Sequence, residues 1–333
     1  MERKRRDFLK KTSIISAGTL VLGPNMMGNN FKPTSNTSKP IGLVGMDTSH
    51  SPQFVEIINS LGSDYKVTTA FTTVSRDFPP SVDRVEKFTA QIKSMGVEIV
   101  DSIDDLLGKV DYVLLCTVDG RLHLEQAEKI LKAKKRVFID KPMAASLDEV
   151  KKIFALSKEY NTPTFSSSSV RFLTKAKEVR NGSIGNVQGA QIYAPISYEP
   201  TQPRLYWYGV HGAELLFTAM QQGCKRVRSL VTEQYHMVIG DWGDGKIGTY
   251  CGLKNKMQEY GGQAFGDKGV SYLGKYESSL PLIEAILHYF DTGEVPVEPS
   301  ETIELFAFMD AAQKSEQEKG NWIAIEDILG TTP

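Results

Sequence analysis

Ile41-Gly42-Leu43-Val44-Gly45 is a short apolar run that ends in glycine, and it gives the first indication of the fold class. Runs of this length are typical of strands buried on both faces of a parallel sheet. A helix is predicted next, with Ser51 as its cap, Pro52 in its first turn and Gly62 after its end. Its apolar face recurs at helical spacing: Phe54, Ile57, Ile58 and Leu61. This strand and helix predict the first unit of a Rossmann-like domain.

The same alternation of strand and helix continues for about 125 residues. Further strands are predicted at Lys66–Thr73, Val97–Val100, Val110–Thr117, Arg136–Asp140 and Thr162–Ser167. Helices are predicted between them, one beginning at Ser81 with Val82, Val85, Phe88, Ile92 and Met95 on its buried face, and one at the capping box of Ser146 and Glu149. Strands that alternate with helices at these lengths indicate right-handed βαβ units and a parallel sheet.

The second half of the chain has a different pattern. Extended stretches are predicted at Val187–Ile196, Arg226–Val238, Lys246–Leu253 and Lys256–Phe265, with helices at Leu173–Asn181, Leu205–Gln222, Leu280–Asp291 and Ser300–Lys319. The Asp244-Gly245 pair indicates a hairpin turn, and therefore antiparallel pairing. The fold class predicted is α/β: a Rossmann-like domain at residues 41–160, then an α+β domain at 161–333 with a mostly antiparallel open sheet.

Composition bounds the function. The chain has 333 residues, 41% of them apolar and 24% charged, which is typical of a soluble globular protein. A net charge of −1 gives no general attraction to nucleic acid or to anionic lipid, so nucleic-acid binding is not expected. The three cysteines have no paired spacing and there is no Cys/His cluster of the metal-binding kind. Cys224 with Cys251 is the one pair that an exported protein could oxidise.

The first thirty residues have the pattern of an export signal. Lys4-Arg5-Arg6-Asp7-Phe8-Leu9-Lys10 is a twin-arginine signature, and the apolar run that follows, Ile14–Leu22, is shorter than the ~20 residues that a membrane-spanning helix needs. Residues 31–40 are predicted to be a linker. We therefore expect a periplasmic protein with no membrane contact once the signal is removed; a basic N-terminal helix of the fold itself is the alternative.

The loop after the first strand, Gly45-Met46-Asp47-Thr48-Ser49-His50, stands where a dinucleotide site has G-x-G-x-x-G. Only its first glycine is present. Asp47 would repel a pyrophosphate unless its side chain turns away, whereas Thr48, Ser49 and His50 offer donors at a helix N-terminus. Two interpretations stay open: an altered dinucleotide loop, or a loop that no longer binds a dinucleotide.

Two further motifs contain candidate functional residues. Asp140-Lys141-Pro142 follows a buried strand, at the sheet edge where open α/β folds bind ligands, although a surface lysine would fit the same place. In Tyr206-Trp207-Tyr208-Gly209-Val210-His211-Gly212-Ala213-Glu214, helical spacing puts Glu214 one turn from His211, so that the carboxylate could orient the imidazole. Taken alone, a histidine in an aromatic helix is more often a packing residue.

Together these motifs resemble the glucose–fructose oxidoreductase / inositol dehydrogenase (Gfo/Idh/MocA) family over roughly residues 40–325. The best-matched segment runs from Val110 through His123 and Gln126-Ala127 to Asp140-Lys141-Pro142-Met143-Ala144. The resemblance implies a nicotinamide cofactor, a small carbohydrate or cyclitol substrate, and oligomers formed through the sheet of the second domain. It also implies a catalytic role for Lys141, with Asp140 replacing the family's Glu, and for His211.

The resemblance, with the loop chemistry above, gives a set of candidate ligands. For the cofactor they are Gly45, Asp47, Thr48, Ser49, His50, Thr73, Ser75, Arg76, Thr117, Val118, Asp119, His123, Asp140 and Lys141. For the substrate they are Arg171, Tyr206, Tyr208 and Glu214. Ser75 and Arg76 could bind a 2′-phosphate. This favours NADP over NAD, but both cofactors stay open.

Three departures from the family pattern matter. The glycine loop is degenerate, Trp207 stands where the family has an Asp before its His, and the second strand ends without an acid for the adenosine ribose. Members with a similar loop and a Tyr-Gly-x-His-Gly helix form a subgroup. The function expected is an NAD(P)-dependent oxidoreductase acting on a hydroxyl of a sugar, glycoside or cyclitol. Alternatives are an NAD-dependent glycosidase acting by oxidation and elimination, and a carbohydrate-binding relative that has lost the cofactor.

Overall fold

The first sheet is parallel throughout and has six strands. A computed structural model describes residues 38–254 and 259–330. The strands are β1 (Lys39–Val44), β2 (Tyr65–Phe71), β3 (Glu98–Ile99), β4 (Tyr112–Leu115), β5 (Arg136–Asp140) and β6 (Thr164–Ser167). Their order across the sheet is β3-β2-β1-β4-β5-β6, so the order reverses beside β1, where doubly wound sheets bind ligands. The predicted Rossmann-like sheet is confirmed.

Helices cover both faces of this sheet. They are α1 (His50–Ser60), α2 (Pro79–Ser94), α3 (Ile103–Leu107), α4 (His123–Lys132) and α5 (Leu147–Glu159). A further helix, α8 (Leu280–Thr292), returns from the second half of the chain and packs on the same sheet. Its Tyr289 ring lies 5.2 Å from that of Phe165, and its hydroxyl accepts a hydrogen bond from the Val137 amide.

The second sheet has seven strands and is mostly antiparallel, as predicted. They are β7 (Val187–Pro195), β8 (Arg226–Val231), β9 (Tyr235–Gly243), β10 (Lys246–Leu253), β11 (Gly261–Gly266), β12 (Gly269–Tyr272) and β13 (Ile323–Ala324). Their order is β12-β11-β7-β10-β9-β8-β13, with β7 and β10 as the parallel pair. The remaining helices are α6 (Thr174–Arg180), α7 (Gly209–Met220), α9 (Pro299–Gln317) and α10 (Ile325–Leu329).

One face of the second sheet is covered by helices and the other is open. Helix α7 packs on β7 and β10, and α9 packs on β8. The other face leaves Tyr193 and Tyr272 exposed, with Ile239 and Cys251 beside them. In the described parts of the chain every helix is too short or too polar to span a bilayer.

Several local predictions need correction. Helix α1 begins at His50, so Ser51 does not cap it; the Ser51 hydroxyl instead donates to the Gly45 carbonyl oxygen over 2.9 Å. Val82 is 46% exposed, because the buried face of α2 is formed by Pro80, Ser81 and Ile92. Helix α7 begins at Gly209, four residues later than predicted.

The other differences concern strands, cysteines and the chain's ends. The stretch predicted at Arg226–Val238 is two strands, β8 and β9, and the one predicted at Lys256–Phe265 begins as a strand at Gly261. The three cysteines are free, so Cys224 and Cys251 form no disulfide. Strand β6 ends the first sheet at Ser167, beyond the boundary predicted near residue 160. The export signal predicted at residues 1–30 lies outside the described residues, as does most of the predicted linker.

Candidate functional site

A cavity of about 270 Å³ opens at the carboxyl edge of the first sheet, beside the start of α7. It lies where strand order reverses, as expected for a ligand site in this fold class. Its lining comes from α1 and the loop before it, from α2, from the residues after β4, β5 and β6, and from the second domain. The lining residues are Thr48, Ser49, His50, Gln53, Arg84, Val118, Lys141, Ser169, Val170, Trp207, Tyr208, His211, Tyr260 and Tyr276.

Lys141 is a buried cation with no partner. Its residue is 8% exposed, and its ammonium group makes no hydrogen bond or ion pair within residues 38–254 and 259–330. The Nζ atom lies 5.5 Å from the ring centre of Trp207 and 5.9 Å from that of Tyr208, so aromatic faces supply its nearest stabilisation. Burial lowers the pKa of Lys141, Asp140 opposes that shift, and Arg84 adds to it.

Asp140 and His50 form a buried pair beside Lys141. The imidazole Nδ1 lies 2.6 Å from one carboxylate oxygen of Asp140, which places the third position of the degenerate glycine loop against the end of β5. The other carboxylate oxygen, Oδ1, is buried without a hydrogen-bond partner in the described residues. Burial would raise the pKa of Asp140, but His50 and Lys141 outweigh it and hold the pKa below its usual value.

His211 faces the same cavity from the first turn of α7. Its Nδ1 lies 2.6 Å from the hydroxyl oxygen of Ser168, just after β6, which fixes the orientation of the ring. Burial lowers the pKa of His211 well below its usual value, and the nearby Lys141 and His50 lower it further. The imidazole is therefore neutral at pH 7 and can donate or accept a hydrogen bond.

Asp47 turns its charge away from the cavity. One carboxylate oxygen accepts a hydrogen bond from the Val118 amide over 2.9 Å, and the other accepts one from the Ser81 hydroxyl over 2.6 Å. The residue is fully buried, and burial raises the pKa of its carboxyl. The carboxylate thus ties the loop after β1 to the loop after β4 and to the first turn of α2.

The other predicted cofactor ligands do not line the cavity. Gly45 packs against the chain itself, since a Cβ there would lie 2.2 Å from the Thr117 amide nitrogen. The Thr117 hydroxyl donates to Gln126, and His123 is buried with Nε2 2.7 Å from the Thr117 carbonyl oxygen. Asp119 accepts hydrogen bonds from Arg121, Gln202 and Ser75. Thr73 is half-buried and Arg76 is exposed beyond the end of β2.

Three of the four predicted substrate ligands bind protein groups instead. Arg171 is 5% exposed and donates to both Glu214 and Glu301, so Glu214 orients Arg171 and not His211. The stronger attraction of a guanidinium for the carboxylate explains this correction. Tyr206 is buried and its hydroxyl donates to Asp310 over 2.8 Å. Tyr208 alone of the four lines the cavity.

Sequence reasoning missed several lining residues. Arg84 lies one turn after Ser81 on α2, so the contact between Ser81 and Asp47 also turns Arg84 toward the cavity. The apolar periodicity of that helix pointed to a different face. Tyr260 and Tyr276 flank the strand pair β11–β12, and the Tyr260 ring lies 5.5 Å from that of His211. No motif marks either tyrosine.

Comparison with known families finds a match for the first domain. Residues 39–166 match the family model GFO_IDH_MocA, whose description is an oxidoreductase family with an NAD-binding Rossmann fold. The first domain is therefore similar to the Gfo/Idh/MocA family. The match covers β1 through β6 and includes the residues of the degenerate loop, Asp140 and Lys141. It ends before His211 and the second sheet.

A curated relative matches part of the chain. A segment of 132 residues is 28% identical to an uncharacterized oxidoreductase, YhhX, of Escherichia coli, covering 34% of this chain. This chain therefore spans 37% of the length of the curated relative that it matches.

Solved structures extend the likeness to the second domain. A probable dehydrogenase from Thermotoga maritima has a TM-score of 0.73 at 18% identity, covering 87% of this chain and 99% of its own. A putative myo-inositol dehydrogenase from Sinorhizobium meliloti has 0.72 at 17% identity, covering 86% and 99%. A scyllo-inositol dehydrogenase from Lactobacillus casei, solved with NAD(H) and scyllo-inositol, has 0.68 at 14%, again covering 86% and 99%. At these identities the likeness establishes the fold.

Proposed function

We propose that this protein is an NAD(P)-dependent oxidoreductase that acts on a hydroxyl-bearing carbon of a sugar, glycoside or cyclitol. One observation carries the proposal: the buried Lys141, which has no polar partner among the described residues, lines the same cavity as His211, beside β1 where the strand order reverses. An ammonium group held there without an internal partner is available to a ligand. Perturbed titratable groups that converge on one cavity are typical of catalytic sites.

The residues present fit the phosphate end of a dinucleotide. Asp47, the one group in the loop that would repel a phosphate, has its carboxylate buried against Val118 and Ser81. Thr48 and Ser49 line the cavity at the N-terminus of α1, where backbone N–H groups and the helix dipole favour an anion. Lys141 would lie beside the nicotinamide. When bound, the nicotinamide supplies the hydride acceptor or donor.

The side chains then have distinct roles. Burial lowers the pKa of Lys141, so its side chain can act as a neutral amine. In that form it takes the proton of the substrate hydroxyl. His211, held by Ser168, hydrogen-bonds the same oxygen and fixes its position. Tyr208, Tyr260 and Trp207 offer aromatic faces of the kind that stack on sugar rings. The pair of Asp140 and His50, beside Lys141, positions the lysine.

Location and assembly complete the proposal. The twin-arginine signature of residues 4–10 supports export to the periplasm by a route that carries folded proteins, so a cofactor loaded in the cytoplasm could leave with the protein. The open face of the second sheet, with Tyr193 and Tyr272 exposed, supports assembly of two or more copies through that face.

A second candidate function rests on a different observation. Asp119, which the resemblance places beside the nicotinamide ribose, is bonded to Arg121 and Gln202, and Ser75, predicted to meet a 2′-phosphate, is buried. The cavity does not reach either residue. A carbohydrate-binding relative that works without the cofactor would need no such opening.

Turnover distinguishes the candidates. The protein is incubated with NAD or NADP and a panel of sugars, glycosides and cyclitols, and nucleotide reduction is followed by absorbance. Net accumulation of reduced nicotinamide supports the dehydrogenase. Release of aglycone without net reduction supports an oxidation–elimination glycosidase, and sugar binding with neither supports the binding protein. Lys141→Met should abolish turnover, while Lys152→Met, an exposed lysine on α5, should leave it unchanged.

A further inference from the structure

The lining of the cavity is cationic. Its fourteen lining residues include Arg84 and Lys141 and contain no carboxylate. Arg84 is half-exposed, and like Lys141 it makes no hydrogen bond or ion pair in the described parts of the chain. Elsewhere in the same parts, buried guanidinium groups are paired: Arg171 is bonded to two glutamates. Two basic side chains without a protein partner in those parts of the chain therefore line this cavity.

The acid nearest to these cations does not neutralise them. Asp140 lies behind the lining and is bonded to His50 over 2.6 Å. Arg84 and a protonated Lys141 outnumber this single carboxylate. Every charged feature of the lining thus favours a negative ligand.

We infer that the substrate carries an anionic oxygen group, such as the carboxylate of a uronic acid, and that Arg84 is the specificity residue that binds it. This inference rests on the proposed function in one respect, namely that the cavity is the substrate site. A guanidinium offers paired donors that match the two oxygens of a carboxylate. The Trp207 and Tyr208 rings, next to the Lys141 ammonium, place the sugar ring at the same end.

The anion could also belong to a phosphate of the dinucleotide, and the experiment separates the two sources. Binding is measured by calorimetry at low ionic strength with D-glucuronate and D-glucose, with D-gluconate and D-sorbitol, and separately with NAD(H) and NADP(H). We expect each acid to bind at least about tenfold more tightly than its neutral partner, since one hydrogen bond between charged groups contributes about that much. Added salt should reduce the difference.

Arg84→Gln tests the residue, with Lys87→Gln on the same helix as the matched control, because Lys87 is exposed and does not line the cavity. Arg84→Gln should weaken binding of the acids about tenfold, leave the neutral sugars unchanged and leave nucleotide binding unchanged. Arg84→Lys should recover part of the loss, because it keeps the charge without the paired donors.

Two results would overturn the inference. One is equal affinity for acidic and neutral sugars in the wild-type protein. The other is loss of NAD(H) or NADP(H) binding in Arg84→Gln with unchanged sugar binding, which would assign the cations to the cofactor. Failure of the proposed function looks different: nucleotide would bind to neither the wild type nor the variant, while the preference for acids could still be measured.

Discussion

Two groups of buried and half-buried charges in the described part of the chain differ in how their polar atoms are used. In the first, Arg171 and Arg180 bond to Glu214 and Glu301, with Ser168 adding its backbone amide, so that each charge has an opposite one against it. In the second, Asp140 and His50 form one pair, yet Lys141 and Arg84 have no partner in the described residues and Asp140 Oδ1 has none either.

The difference separates a structural network from a candidate active site. Charges that neutralise each other inside the protein hold elements together, here β6, α6, α7 and α9, and leave nothing for a ligand. A buried cation without a partner raises the free energy of the folded state unless a ligand binds to it. Burial of charge alone therefore does not identify a site, whereas unpaired groups around a cavity do.

Arg171→Met should produce the largest effect on stability. The substitution removes the positive charge that faces the buried carboxylates of Glu214 and Glu301. Breaking a buried pair in this way lowers the free energy of unfolding by about 3–5 kcal/mol. Arg226→Met, which breaks the exposed pair with Asp241, should change it by less than about 1 kcal/mol. Urea denaturation of both variants checks this. Equal effects would mean that the first network is not structural.

Lys141→Met should behave in the opposite way. Activity should fall about 10²–10⁴-fold, the range typical for loss of a general base. Stability should stay constant or rise, because an unpaired buried cation is replaced by an apolar side chain of similar length. Steady-state kinetics and denaturation of the same preparation measure both. A large loss of stability would show that Lys141 belongs with the structural charges.

Asp47→Ala should destabilise the fold by about 1–3 kcal/mol, since the buried Val118 amide and Ser81 hydroxyl lose their acceptor. Asp47→Asn can still accept from Val118 and donate to Ser81, so it should recover most of the loss. Thermal denaturation checks the pair. If Asp47→Ala instead tightened nucleotide binding at unchanged stability, the carboxylate would be a weakened phosphate site and not a structural tie.

The pH dependence of turnover should show the smallest effect. Neutral Lys141 is the active form, so the rate should rise as pH rises through its pKa, which lies below the usual 10.5. Removing the positive charge of Arg84 raises that pKa, so in Arg84→Gln the rising limb should move to higher pH. Lys87→Gln should leave it in place. A limb that moves to lower pH in Arg84→Gln would contradict the assignment of Lys141 as base.

Much of the fold could be predicted from sequence, because strand and helix periods are local properties. Strand β5 was predicted with both its ends, and Asp244-Gly245 forms the turn that its backbone preference requires, with φ of 51° and 77°. Short elements such as β13 were missed, since two residues carry no period. The sequence predicts the start of α7 too early. The aromatic residues before Gly209 continue the apolar pattern of the helix, although they lie in a turn.

The site was less predictable, because pairing between distant charges is not a local property. The motifs correctly brought Lys141, His211 and His50 to one cavity. They also grouped Glu214 with His211 by helical spacing, whereas Arg171, 43 positions away, holds that carboxylate. The sequence does not single out Arg84. Its proposed role depends on its lacking a protein partner in the described residues, and only the folded structure shows this.

The nucleotide content of the folded protein tests the central claim most directly. The protein is purified from an exporting cell, denatured, and the released NAD(H) or NADP(H) is quantified by mass spectrometry, before and after incubation with added nucleotide. We predict about one nucleotide per chain, either as purified or after incubation. Because the nucleotide is held at the cavity of Lys141, the amount bound should be smaller in Lys141→Met. A protein that carries none and takes up none would contradict the oxidoreductase assignment and favour the carbohydrate-binding alternative.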